Sequence, residues 1–330
     1  MIEEKSLFPG YFEVLEENRL PSYLQCKNIP VRFDIGEKTP SLWKRHDHAL
    51  QKIKLAKISP ELSLLDLKIE IAKRIFKKCC FCEHNCKVDR EKHIGHCKTK
   101  EARIASEFLH LGEEKVLVPS HTIFFSGCTL NCVFCQNWDI SQQNTGYYIE
   151  PRALGDIIKK RKEQGSRNIN WVGGDPTPNL LYILKVLKII ELKIPLVWNS
   201  NMYCSLETMK LLNGIIDLYL TDFKFGNDNC AYRLSKVKNY IDIIKRNHIY
   251  AHKNGELIIR HLVLPNHIGC CSKPILEWLN KAIPGAVLNI MSQYRPDYKA
   301  LEYEEIDQPL STEQFLEVEN YARQQKLNLI

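Results

Sequence analysis

The chain has 330 residues, enough for one large α/β core with a small appendage. Hydrophobic residues make up 44% and charged residues 26%, which excludes a disordered or fibrous chain. The formal charge of +7 comes from lysines on helix-like stretches such as 157–162 and reads as solvated faces, with an anionic partner surface as the alternative.

Residues 1–10 carry acids and no apolar segment, so they do not read as a secretion signal. No run of about 18 apolar residues is present, so no membrane span is expected. Thirteen cysteines without an export signal point to a cytoplasmic, reducing setting. Eight of them fall between Cys79 and Cys135, a clustering that favours metal binding over disulfides.

In chain order, residues 1–115 read as a helical extension. The Leu62, Leu65, Leu67, Ile69, Ile71 and Ile75 face predicts a helix over 61–78, and another short helix is expected over 100–111. Between them lies the Cys-rich segment 79–97, with Cys79, Cys82, Cys86 and Cys97 as a four-thiolate set and Gly95 suited to a tight ligand turn. Zinc, an auxiliary iron–sulfur cluster and an empty site all remain open there. Cys80 is an alternate ligand, and His84, His93 and His96 read as flanking or surface residues.

From about Val116 the pattern turns regular. Strands are predicted over 117–125, 168–172, 195–199, 215–223, 256–264 and 286–291. Helices are predicted over 153–164, 180–192, 206–212, 229–246 and 273–282. Gly165, Gly214 and Gly255 sit where helices end in a left-handed residue. Continuous apolar strands suit a parallel sheet covered on both faces, and six βα units leave a partial barrel and an open doubly wound sheet as the two solutions. Residues 116–300 form this core. A capping box at Ser311 and Gln314 starts a last helix over 313–325, within a C-terminal segment 301–330 that packs on the core.

The strongest motif is Gly127-Cys128-Thr-Leu-Asn-Cys132-Val-Phe134-Cys135, just after the first core strand. Three thiolates at spacings of four and three converge on one side of a loop and select iron–sulfur or zinc. Because a closed zinc site wants four ligands, three leave a metal corner open for a small molecule. A zinc knuckle with a borrowed ligand is the alternative.

Cys-x3-Cys-x2-Cys with an aromatic before the last Cys resembles the signature of the radical S-adenosylmethionine (SAM) family. The resemblance implies a partial (β/α)6 TIM-like barrel and a [4Fe–4S] cluster on Cys128, Cys132 and Cys135, with Phe134 near the adenine. Four further segments match in order. Gly173-Gly174-Asp175-Pro176 resembles the turn that receives the SAM amino group. Trp198-Asn199-Ser200-Asn201 and Thr221-Asp222-Phe223-Lys224 resemble segments around the SAM carboxylate and ribose in glycyl-radical-enzyme activating proteins, with Asn199 where those carry Asp. Arg260 stands where an Arg holds the carboxylate or ribose. The segment from Asn289 to Pro296 offers Gln293, Tyr294 and Arg295 as further contacts.

Together these resemble the PflX-type group related to pyruvate formate-lyase activating enzyme, over roughly 70–300. What the resemblance implies is reductive cleavage of SAM to a 5′-deoxyadenosyl radical and hydrogen abstraction, fed by a flavodoxin or ferredoxin, with a glycine of a partner protein as one substrate reading. The competing class is a noncatalytic iron–sulfur or zinc module for electron transfer or nucleic-acid binding. An electron carrier needs no open three-Cys site, and a nucleic-acid reader needs a denser basic patch with interleaved aromatics than this chain carries. Cys26, Cys204, Cys230, Cys270 and Cys271 follow no ligand spacing and read as small buried hydrophobes, with Cys204 and Cys271 as alternative redox thiols.

Overall fold

The computed structural model describes residues 2–52 and 60–330; Met1 and 53–59, both in the predicted extension, lie outside the described residues. Among the described residues, eight strands form one sheet in chain order: β1 (Ile104–His110), β2 (Ser120–Phe125), β3 (Asn168–Gly173), β4 (Leu196–Ser200), β5 (Leu218–Asp222), β6 (Glu256–Leu262), β7 (Val287–Met291) and β8 (Asn328–Leu329). β2 through β8 run parallel, and only β1 is antiparallel, against β2. With β1 at one edge and β8 at the other, β2–β7 make the six-stranded partial barrel.

Side chains alternate across each strand, and the two faces have different partners. Trp171, Trp198, Tyr219, Ile259 and Leu288 point outward into the main core under the helices. Val197, Leu218, Leu220, Ile258 and Val287 point inward and pack on Phe8, Tyr11, Phe12, Val116 and Leu117. The N-terminal helices therefore plug one end of the barrel. Two carboxylates hold the plug: Glu256 accepts from the amides of Gly10 (2.6 Å) and Tyr11 (2.8 Å), and Asp217 accepts from Ser22 N (2.9 Å) and Leu196 N (2.9 Å). Buried Lys68, on the helix Leu64–Lys77, donates to the carbonyls of Lys210, Leu211 and Asn213. It thereby caps the C-terminal end of helix Leu206–Leu212 with a cation, as helix dipoles favour.

Several expectations are corrected. The segment 100–111 is no helix: its alternately buried residues form β1, which pairs with β2. The helix expected over 229–246 is two, Asp228–Ser235 and Tyr240–Asn254, parted by left-handed Lys236 and Asn239. Gly165 and Gly214 have positive φ, but Gly255 is extended. Its missing Cβ makes room for the Tyr219 ring, which would lie 2.9 Å away.

Candidate active site at the mouth of the barrel

The period of two that buries Val197, Leu220 and Ile258 in the plug carries Asn199, Asp222, Arg260 and Leu262 up the same inner face to the C-terminal ends of the strands. There they line a cavity of about 240 Å³ together with Cys128, Cys132, Phe134, Cys135, Lys224 and Met291. Parallel α/β barrels place their reactive sites at this end.

The cysteine loop follows β2. It is fixed by Asn131 N to Ser235 O (3.1 Å), Val133 N to Leu234 O (2.9 Å) and Lys299 N to Val133 O (2.8 Å). Phe134 packs edge-on against Phe225 and Tyr294, each 6.1 Å away. Burial pushes the Cys132 thiol up to about 12 and that of Cys128 well above its usual range; a metal bound there would displace their protons, as metal binding to thiols does.

Opposite the thiols, Asp222 accepts from Lys224 Nζ (2.7 Å) and Arg260 Nε (3.0 Å). Burial alone would raise its carboxyl; the ammonium and guanidinium outweigh this and hold it at about 2. Arg260 also donates to Asn199 Oδ1 and lies 3.5 Å from Glu113. Lys224 and Arg260 put N–H donors on the cavity floor, and Asp222, Glu113 and Glu114 balance their charge.

The Gly173–Gly174 turn lines the cavity, but its glycines answer to backbone packing. A Cβ on Gly173 (φ +131) would lie 2.1 Å from Phe125 O, and one on Gly174 2.3 Å from Gly127 O. Asp175 does not line the cavity. It is buried, accepting from Thr177 N (2.9 Å), Ser200 Oγ (3.0 Å) and Asn201 N (3.0 Å), so it shapes the turn instead of reaching into the site. Asn201 lines the cavity but also anchors the loop, donating to Cys128 Sγ (3.4 Å) and accepting from Thr129 Oγ1 (3.0 Å). Of the 289–296 segment, Met291 and Gln293 reach the cavity. Tyr294 donates to Ile306 O, and Arg295 is exposed beside Asp297.

Cys79, Cys82, Cys86 and Cys97 come together beside this loop. Cys82 is raised by burial first and then by the neighbouring sulfurs of Cys97, Cys79 and Cys86. The segment abuts the trio: a Cβ on Gly127 would meet Cys97 O at 2.6 Å, and His84 Nε2 donates to Thr129 O (2.7 Å). His84 stacks on His96, centroids 3.5 Å apart.

Three contributors escape a reading of motifs. Glu113 and Glu114 enter the barrel from the segment before β2 and meet Arg260 and Asn289. Buried Arg90 donates to Thr99 (2.6 Å), faces Cys79 Sγ (3.9 Å) and stacks on Phe76; the Cys-rich context was the available signal. Cys26 and Cys204 are buried as expected, but Cys270 is exposed and Cys230 half-exposed, so the buried-hydrophobe reading fails for both.

The Radical SAM superfamily model matches residues 122–279. The chain is 49% identical to MJ0674, an uncharacterised protein of Methanocaldococcus jannaschii, over 97% of its own length and 98% of the relative's. Among solved structures, methylornithine synthase (PylB) superposes with a TM-score of 0.47 at 14% identity, covering 97% of this chain and 78% of that one. SuiB of Streptococcus suis superposes with a TM-score of 0.43 at 16% identity, covering 63% of this chain and 46% of that one, so the chain spans about half of SuiB. Among the described residues, no helix is long and apolar enough to cross a membrane. The matched family segment opens in β2, contains the three-cysteine loop and runs through the strand ends that carry Asn199, Asp222 and Arg260: the chain carries a radical SAM superfamily domain over residues 122–279 and belongs to one family with MJ0674.

Proposed function

We propose that this chain is an enzyme that holds a [4Fe–4S] cluster on Cys128, Cys132 and Cys135 and binds SAM in the cavity above Arg260. The observation that carries the reading is one cavity lined by three thiols on one side and by Asp222, Lys224 and Arg260 on the other. The donor set fits: three soft ligands for the cluster, cations for a carboxylate, and an apolar wall for a base. When bound, the cluster would supply the electron that splits SAM to a 5′-deoxyadenosyl radical.

The chain's own residues do the positioning. Lys224 and Arg260 receive the carboxylate, with Asp222 and Asn199 fixing their side chains. Phe134, Val172, Leu262 and Met291 offer apolar surface for the adenine. The Gly173–Gly174 backbone faces the amino group, held in shape by Asp175. A flavodoxin or ferredoxin is the external donor. The activating-protein resemblance of residues 198–201 and 221–224 makes a glycine of a partner protein the hydrogen source in this reading.

Cys79, Cys82, Cys86 and Cys97 hold an auxiliary iron–sulfur cluster in this proposal. Arg90, a buried cation beside Cys79, gains the counter-charge that burial requires.

The test is anaerobic reconstitution with iron and sulfide, then dithionite and SAM. Formation of 5′-deoxyadenosine by the wild type but not by Cys128→Ala supports the reading. Iron-loaded protein that never cleaves SAM under reducing conditions sinks it.

A further inference from the structure

The helix that follows β5 and the turn that follows β6 share a third sulfur cluster. Among the described residues, one group of three or more potential ligands brings its donor atoms within 4.8 Å of one another: Cys230, His267, Cys270 and Cys271. Cys270 Sγ lies 3.8 Å from Cys230 Sγ and 3.9 Å from Cys271 Sγ. His267 Nδ1 lies 3.3 Å from Cys270, 3.6 Å from Cys230 and 3.8 Å from Cys271.

These are five of the six edges of a tetrahedron around one ion. Ligands at about 2.3 Å for sulfur and about 2.0–2.1 Å for nitrogen give edges of about 3.5–3.8 Å. We propose that Cys230, His267, Cys270 and Cys271 form a Cys3His site for a single zinc ion. Three thiolates and one imidazole select zinc, and the thiol protons leave to solvent on binding.

The local backbone is built to this end. Cys271 N and Ser272 N both donate to His267 O, at 2.9 and 3.2 Å. The wide turn that results, Ile268–Ser272, gathers His267, Cys270 and Cys271. Such turns concentrate at functional positions. Gly226 lets the other loop approach: a Cβ there would lie 2.6 Å from Cys271 O and 2.7 Å from Cys270 O. Asn227 Nδ2 donates to Cys230 Sγ (3.2 Å) and Cys270 O (2.8 Å), supplying the outer-sphere donors that tune metal ligands. The ion would tie the loop that carries Lys224 to the loop that follows Arg260, and so fix one wall of the cavity.

The experiment is metal analysis and zinc K-edge X-ray absorption on the anaerobically purified full-length chain. The expected result is one zinc per chain with three sulfurs and one nitrogen. The double variant Cys230→Ser/Cys270→Ser should lose it while keeping its iron, which also reports folding; His267→Gln should lose it or replace the nitrogen. Cys86→Ser should keep its zinc. A wild type without zinc, zinc bound as well by the double variant, or a Cys230–Cys270 disulfide in peptide mapping would overturn the proposal. None of these outcomes depends on SAM cleavage.

Discussion

Two of the three sulfur clusters are built to opposite plans. The Cys128 trio rises on one loop and faces a cavity, so a metal held there would keep one corner without a protein ligand. The Cys230–His267–Cys270–Cys271 group closes four ligands on one another across a helix and a turn. An open site offers a place for chemistry, and a closed one offers a crosslink. The same side chains thus serve two ends, decided by whether a fourth ligand arrives.

The largest effect that separates the two plans is Cys132→Ala. It should abolish 5′-deoxyadenosine formation and remove the iron of one cluster while the zinc content stays unchanged, as read by metal analysis on one preparation. A parallel loss of zinc would mean that the two sites are one cooperative unit.

Next in size is Asp222→Ala. Removing this carboxylate leaves Lys224 and Arg260 as buried cations without their nearest partner, which costs about 3–5 kcal/mol. The sign with pH follows from the depressed carboxyl. Its stabilisation is full above the unfolded value near pH 4 and is lost as pH falls through about 2. It amounts to about 2 kcal/mol. Thermal unfolding midpoints measured from pH 5 to pH 2 should therefore fall more steeply in the wild type than in the variant. Equal slopes would show that Asp222 is not ionised against its partners.

The open site was legible because its parts are local. Eight residues of sequence hold all three thiols, and Asp222 and Lys224 are two apart at a strand end. Arg260 was found through the resemblance that its strand segment carries. What escaped comes from afar or has no pattern. Glu113 reaches Arg260 from a segment with no motif, Arg90 is a single residue in a lysine-rich stretch, and Cys230 meets Cys270 only because β5 and β6 are neighbours. β1 was misread because seven residues of alternating burial also fit two turns of a short helix. Asp175 shows the other limit. Its place beside the glycines suggested a ligand contact, yet its hydrogen bonds go to the chain.

A smaller effect tests how the open site is supported. In Gly174→Ala the new methyl would lie 2.3 Å from Gly127 O, the carbonyl just before Cys128. Overpacking of this kind costs about 1–3 kcal/mol, and the strain falls on the cysteine loop. Iron at the trio should load incompletely and SAM cleavage should drop in proportion, with the zinc site unaffected. If iron loads fully and only the SAM KM rises, the glycine serves ligand approach rather than loop packing.

The smallest effect belongs to the closed site. Asn227 has two roles that one substitution separates. Its Oδ1 accepts from Cys230 N (2.8 Å) and caps the helix Asp228–Ser235; its Nδ2 donates to Cys230 Sγ and Cys270 O. Asn227→Asp keeps the cap acceptor and adds a negative charge that a helix N-terminus favours. The same change removes both donors and sets a carboxylate against a thiolate. Loss of outer-sphere partners lowers metal affinity by about 10–100-fold, and the retained cap should hold this variant at the lower end. Competition with a chromophoric chelator would read the shift, with iron content and SAM cleavage as unchanged controls. Unchanged zinc affinity would show that the ion, once bound, needs no help from this amide, and that the four ligands alone set the geometry of the wall.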